Sequence, residues 1–248
     1  MLRTALLQLF TTTDLFSSAR RSSPAHHHRA SRCTTTGTVE RMSTTWFTSD
    51  LHLGHPFVAN LRGFDDVEEH DQRILNNLRA TLSDGDTLWV LGDCSSGWGP
   101  QEERALSLLD ATFTDLRSQL NVEFTAHLIS GNHDSCHPLH TDSASAQREF
   151  LMVFDSVQPF QYFEFAGEPA WLCHFPRPGF DHEGMDSRHD ELRLTVERLV
   201  HGHLHSATAI TGRGQVDVGL DAWNMAPVSE ETVAATLLAS FEEFPEGL

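Results

Sequence analysis

Five short apolar runs in this chain each end, within a few residues, in an acidic, amide or imidazole side chain, and this repeated punctuation is its most restrictive feature. Thr45–Thr48 leads into Ser49-Asp50-Leu51-His52, Thr87–Leu91 into Gly92-Asp93, and Thr125–Ile129 into Ser130-Gly131-Asn132-His133-Asp134. Ala170–Cys173 then ends at His174, and Val200 opens His201-Gly202-His203-Leu204-His205. Runs of this length read as strands, and Thr87–Leu91, apolar throughout, as one buried on both faces. Between the first three lie amphipathic helical patterns, from Asp65 to Leu82 and from Gln101 to Leu120. Strands alternating with helices predict a layered α/β domain with polar groups at the strand exits.

The remaining chain is read in the same way. A helix is expected near Ala144–Phe154, adjacent strands over Val157–Phe165 and Ala170–Cys173, and a polar loop over residues 177–190. Glu191–Leu199 is expected to be helical, Thr208–Ile210 and Gln215–Val218 to form a hairpin around Gly212-Arg213-Gly214, and Ser229 to cap a final helix toward Phe241. Residues 1–41 lack sustained periodicity after Phe16 and are mixed in Ser, Thr, Arg and His, while Met42-Ser43-Thr44 stands directly before the first strand. They are therefore expected to be a disordered extension ahead of the true initiator, or a transit peptide, with the folded domain over 42–248. His26-His27-His28 is assigned no metal-binding role in such a tail.

Charge narrows the partners. The basic residues are all Arg, and from position 42 onward 11 of them face 33 Asp and Glu, a balance of −22. Such a surface repels long polyanions and argues against a non-specific nucleic-acid groove. The cysteines Cys33, Cys94, Cys136 and Cys173 form no C-x-x-C pair, which fits reduced thiols and a cytoplasmic location. No apolar run reaches the length of a membrane span.

Asp50, His52, Asp93, Asn132, His133, His174, His203 and His205 mix hard oxygens with imidazole nitrogens, a donor set suited to divalent ions of the manganese, iron, nickel or zinc type. In order, D-x-H, G-D, G-N-H-D, H and G-H-x-H resemble the calcineurin-like metallophosphoesterase superfamily over Thr45–Ala226. The closing Asp217-Val218-Gly219-Leu220-Asp221-Ala222-Trp223-Asn224 resembles its small bacterial and phage-type branch. The resemblance implies a four-layer α/β/β/α sandwich of two mixed sheets flanked by helices. It also implies two divalent metal ions, manganese foremost. Asp50, His52 and His205 would hold one, Asn132, His174 and His203 the other, and Asp93 would bridge them. His133 matches the family's catalytic histidine, with Asp134 expected to orient its ring.

Two cations about 3.5 to 4 Å apart can hold a bridging hydroxide for in-line displacement at phosphorus. His133 would assist the leaving oxygen. His55 and Arg62 are candidates for contacting the substrate phosphate, and Arg188, His189 and Asp190 for bordering its entrance. His201 is left outside the site. Cys94 and Cys173 are expected to point into the sheet, and Trp46, Trp89 and Trp171 to be core. The expected activity is hydrolysis of a small phosphate ester, a phosphodiester foremost. A protein phosphatase is disfavoured because Gly92-Asp93-Cys94-Ser95-Ser96-Gly97-Trp98 lacks that branch's Asp-Arg pair. A nuclease of the same superfamily and a non-catalytic metal-bound scaffold remain alternatives.

Overall fold

Two five-stranded sheets stack face to face in the computed structural model, which describes residues 42–182 and 184–245. The expectations for residues 1–41, His26-His27-His28 included, lie outside the described residues. In the first sheet, strands β1 (Thr45–Thr48), β2 (Thr87–Val90), β3 (Thr125–Ile129) and β4 (Ser156–Gln158) run parallel in that order. The second contains β5 (Phe160–Phe165), β6 (Glu168–Cys173), β7 (Leu199–His201), β8 (Ile210–Gly212) and β9 (Gln215–Asp217), in the order β5-β6-β7-β9-β8. There β6, β7 and β9 are parallel, and β5 and β8 are antiparallel edges. Strand β10 (Val228–Ser229) returns to close the first sheet antiparallel to β1.

The period-2 alternation of the strands divides the core. Leu88, Val90, Ala126 and Leu128 face helices α2 (Val67–Thr81), α3 (Gly99–Gln119) and α4 (Ser143–Phe150), meeting Ile74, Leu78, Leu109, Phe113 and Phe150. Their neighbours Phe47, Trp89, Leu91 and Ile129 point the other way, onto Leu172, Val200 and Val216 of the second sheet. Helix α5 (Glu230–Glu243) packs on β5, β8 and β9 and adds Val233 and Leu237 to that inner cluster. The two mixed sheets flanked by helices are the architecture the resemblance implied.

Local chemistry sets the helix starts. Asp66 accepts a hydrogen bond from the Glu68 N–H at the head of α2, and Ser229 accepts one from the Thr232 N–H at the head of α5. Glu230 and Glu231 then favour the positive end of α5. A short helix, α1 (Pro56–Leu61), which periodicity did not announce, begins with Pro in its first turn.

Two expectations are corrected. Val157–Phe165 is not one strand: it is split at Pro159, which has no N–H to give a ladder, and there the chain passes from the first sheet to the second. Glu191–Leu199 is not a helix: one 3-10 turn, Asp190–Leu192, precedes irregular chain and then β7. Leu192, Leu194 and Val196 recur every second residue, and all three pack with Trp171, Cys173, Phe175 and Leu199. That spacing covers a sheet but not one side of a helix. Cys94 and Cys173 are buried as expected, as is Trp89, whereas Trp46 and Trp171 are half-buried. No helix among the described residues is long and apolar enough to cross a membrane.

Candidate metal centre

Strands β1, β2 and β3 run parallel in one sheet and β6 and β7 in the other, and contacts such as His203 N–H to Asp50 Oδ2 and His174 Nδ1 to Leu91 O bring their C-terminal ends together at one end of the sandwich. Backbone bonds between neighbouring exits lock them together: Asp50 N–H to Gly92 O at 3.0 Å, His52 N–H to Asp93 O at 3.0 Å, and Gly202 N–H to His174 O at 3.0 Å. Asp50, His52, Asp93, His203 and His205 all adopt left-handed backbone, with φ of 58°, 46°, 55°, 73° and 49°. Non-glycine residues pay about 1 kcal/mol or more for that conformation, and such strain gathers at functional sites. Here it turns side chains that would alternate along a strand onto one point. Gly131 and Gly202 leave the room for this: a Cβ on Gly202 would lie 2.5 Å from Asp50 Oδ2.

The structure brings all seven implied ligands together. His52 Nε2 is 3.1 Å from His205 Nε2, 3.7 Å from Asp93 Oδ2 and 4.0 Å from Asp50 Oδ1. His174 Nε2 is 3.1 Å from Asn132 Oδ1 and 3.4 Å from Asp93 Oδ2. The His203 N–H is 3.0 Å from Asp50 Oδ2, and its ring lies 5.2 Å from that of His174. Asp93 stands between the two groups.

The donor chemistry fits cations at this point. His52 Nδ1 meets the carbonyl of Ser95 at 2.9 Å, and His174 Nδ1 meets that of Leu91 at 2.7 Å. A carbonyl only accepts, so each Nδ1 carries the hydrogen and each Nε2 turns its lone pair inward. Those lone pairs face carboxylate, amide oxygen and another imidazole nitrogen, which repel unless a positive charge joins them. Burial opposes charge on His174, yet Asp93 beside it raises the imidazole to about 10, a sign of the negative field that the carboxylates set up at this point. Burial, with His174 close by, lowers His203 to about 2 and keeps it neutral, the ligand form. His203 Nε2 is buried 3.3 Å from Asp181 Oδ1, an ion-pair contact without hydrogen-bond alignment.

His133 lies at the rim, its ring 5.4 Å from that of His52. Its Nδ1 meets the Ser96 carbonyl at 2.8 Å and its backbone N–H donates to Asp93 Oδ1 at 2.9 Å, so Nε2 is the nitrogen left to work. Asp134 does not orient that ring, a correction to expectation. Its carboxylate accepts from the backbone N–H groups of Gly131, Asp93 and Cys94 at 2.7, 3.0 and 2.9 Å. Burial, with Asp93 next to it, pushes this carboxyl up to about 7 against those bonds.

His55 sits 5.5 Å, ring to ring, from His52 and caps α1 without using its side chain. Burial and the neighbouring His133 and His205 lower its imidazole. Arg62 is the second correction: its guanidinium is turned inward and only 4% exposed. It grips Asp221 through Nε at 3.0 Å and Nη2 at 2.7 Å and donates to the Asp50 carbonyl at 2.8 Å, so no fork remains for a phosphate. His201 is buried outside the centre, bonded to Thr211 Oγ1 at 2.7 Å.

Sequence reasoning missed three residues. Asp221 Oδ2 meets His205 Nδ1 at 2.9 Å, Asp181 Oδ1 lies 3.3 Å from His203 Nε2, and the His182 ring lies 4.9 Å from that of His203. Hydrogen bonds overcome burial to hold both carboxylates ionised, well below the usual range: His182 and Arg188 donate to Asp181, and His205 and Arg62 to Asp221. The Asp181-His182 pair, in a loop seven residues after His174, was the available signal. Arg188, His189 and Asp190 belong to that loop, and the Arg188 N–H donates to Asp181 Oδ2 at 3.0 Å.

The model of the calcineurin-like phosphoesterase family matches residues 43–207. The gene 66 protein of Mycobacterium phage L5 is 37% identical over 195 residues, covering 73% of this chain and 88% of the phage protein. The gene 66 protein of Mycobacterium phage D29 is 34% identical over 200 residues, covering 76% and 94%. A crystal structure of AQ665 from Aquifex aeolicus, described as a protein of unknown function, shares the fold: TM-score 0.54 at 22% identity, over 79% of this chain and 100% of that one. With phage relatives in keeping with the phage-type branch and a family match running from β1 through the G-H-x-H motif, the chain belongs to the calcineurin-like phosphoesterase family.

Proposed function

We propose that the protein is a metal-dependent phosphodiesterase of small molecules, working with two divalent cations, manganese foremost. The observation that carries this is the convergence of inward lone pairs and carboxylates from five strand exits around Asp93. Asp50, His52 and His205 would hold one cation, Asn132, His174 and His203 the other, with Asp93 serving both. When bound, such cations polarise the phosphoryl group and acidify the attacking water.

The chain's own residues supply the rest. With Nδ1–H tied to the Ser96 carbonyl, His133 in its protonated form delivers the Nε2 proton to the departing oxygen. That hydrogen bond fixes the ring, so the transfer needs no reorientation. A cleft of about 390 Å³ opens beside it, bordered by Ser96, Asn132, Ser135 and His140, a size that suits a small polar leaving group. His55, whose ring lies 5.5 Å from that of His52, would meet the phosphoryl oxygens.

Two features support a diester over a monoester. Arg62, the guanidinium expected to contact the substrate phosphate, is committed to Asp221, which leaves one positive group fewer for the second charge of a monoester. The acidic balance also disfavours highly charged substrates and long nucleic acid. The test is hydrolysis of bis-p-nitrophenyl phosphate and p-nitrophenyl phosphate by manganese-loaded protein. Faster turnover of the diester is expected; turnover of neither removes the reading, and a monoester preference removes its diester part.

A further inference from the structure

The four histidines of the centre are backed in two different ways. His52 and His174 rest on main-chain carbonyls, Ser95 O and Leu91 O. His203 and His205, the two histidines of G-H-x-H, instead face carboxylates from outside the family's ligand set, and a buried arginine grips each of those carboxylates. Asp221 meets His205 Nδ1 at 2.9 Å and is held bidentately by Arg62. Asp181 Oδ1, which takes the His182 backbone N–H at 2.9 Å and meets His182 Nδ1 at 2.8 Å, also faces His203 Nε2 at 3.3 Å in an ion-pair contact, while Oδ2 takes the Arg193 guanidinium at 3.0 Å, and both side chains of the Asp181–Arg193 pair are 0% exposed. Each arginine is anchored in turn to main chain: Arg62 Nη2 to the Asp50 carbonyl at 2.8 Å, and Arg193 Nε to the Arg188 carbonyl at 2.9 Å.

A carboxylate behind a metal-binding imidazole takes its N–H, fixes the ring and makes the opposite nitrogen a stronger donor. An arginine fork keeps that carboxylate ionised and in one orientation. We propose that the Asp181–Arg193 and Asp221–Arg62 pairs are positioning devices that set the tautomer and orientation of His203 and His205. The ring hydrogen is then on Nε2 in His203 and on Nδ1 in His205, and the two histidines of one motif offer opposite ring nitrogens to the centre. The pairs come from segments far apart in sequence, the loop after His174 and the stretch after β9. Each half of the centre therefore leans on a segment outside the five strand exits, and on the His203 side that segment brings Asp181 and His182 within reach of the same imidazole.

This inference rests on the metal-binding part of the proposed function. Its first test uses the native protein loaded with zinc, whose histidine nitrogens are read by long-range ¹H–¹⁵N correlation, with His203→Asn and His205→Asn for assignment. Protonation at His203 Nε2 and His205 Nδ1 is expected; a hydrogen on the other nitrogen of either ring overturns the proposal. Its second test is zinc titration calorimetry on Asp181→Asn, Asp221→Asn and Asp181→Asn/Arg193→Gln, the last removing the charge that the first leaves unpaired. One zinc equivalent should weaken by about 10- to 100-fold in each variant, with partial recovery in Asp221→Glu. Parent affinity in the folded variants overturns the proposal, and the native tautomers decide it where a variant does not fold. Native protein that takes up no metal overturns the metal-binding reading as well; native uptake with parent-like affinity in the variants overturns this inference alone.

Discussion

The carboxylate of Asp134 is bonded to the backbone N–H of Asp93 at 3.0 Å, forty-one residues away, and has no bond to the imidazole of His133 beside it in sequence. It is a strut between two strand exits. Asp134→Ala would strand three buried N–H donors, each worth about 1–3 kcal/mol when unsatisfied. A loss of roughly 3 kcal/mol or more is expected, together with weaker metal uptake, and Asp134→Asn should fall between this variant and the parent. Denaturant unfolding of metal-free protein, alongside metal analysis, checks both; an Asp134→Ala variant with parental stability contradicts the strut.

His133 reaches the centre from its rim and supplies none of the inward lone pairs. His133→Asn should therefore keep its metal content and lose turnover by about 10²- to 10⁴-fold, the usual weight of a general acid. Metal analysis and diester hydrolysis on the same preparation measure the two separately. Full activity in this variant would sink the assignment.

Gly131 marks the closest approach of two exits. A Cβ there would stand 2.7 Å from the Asp93 N and 2.9 Å from His174 Cε1, and would also meet Asp93 Oδ1. Since its φ is ordinary, the constraint is space alone. Gly131→Ala should displace Asp93 and His174, costing about 1–3 kcal/mol by overpacking and most of the metal affinity, with the helix content unchanged. Circular dichroism and metal titration test it; parental metal affinity would show that the centre tolerates the shift.

Acid should destabilise the fold through His137, which is 4% exposed and accepts the Leu139 N–H on Nδ1. Burial, then the neighbouring His174, lower its imidazole to about 4. The fold keeps it neutral, while the unfolded chain takes up a proton below about 6.5. Its contribution is therefore whole above that pH and shrinks as pH falls from 6.5 toward 4, by on the order of 1–3 kcal/mol. His137→Asn, which retains an acceptor, should flatten the fall of Tm between pH 7 and 4.5; an unchanged slope refutes it.

Much of this protein is local information. Strand runs, helix faces and caps are decided by residues a few positions apart, so β1 to β3, α2, α3 and the Ser229 cap were legible, as was the ordered set from Asp50 to His205. The misread segments were those whose partner lay far along the chain. Pro159 divides an apparently continuous strand because two sheets compete for its halves, and Leu192, Leu194 and Val196 lie extended because Trp171 and Leu199 need cover.

The same division holds in the centre. The sequence by itself determined which donor atoms the chain could offer and at which strand ends, because residue type and strand period are local properties. Only the tertiary structure decided which side chain backs which: Arg62 turned to Asp221 rather than to substrate, Asp134 to backbone rather than to His133, and Asp181 to His203. A buried charge or N–H takes whatever partner folding brings within about 3 Å, and chain order does not encode that distance.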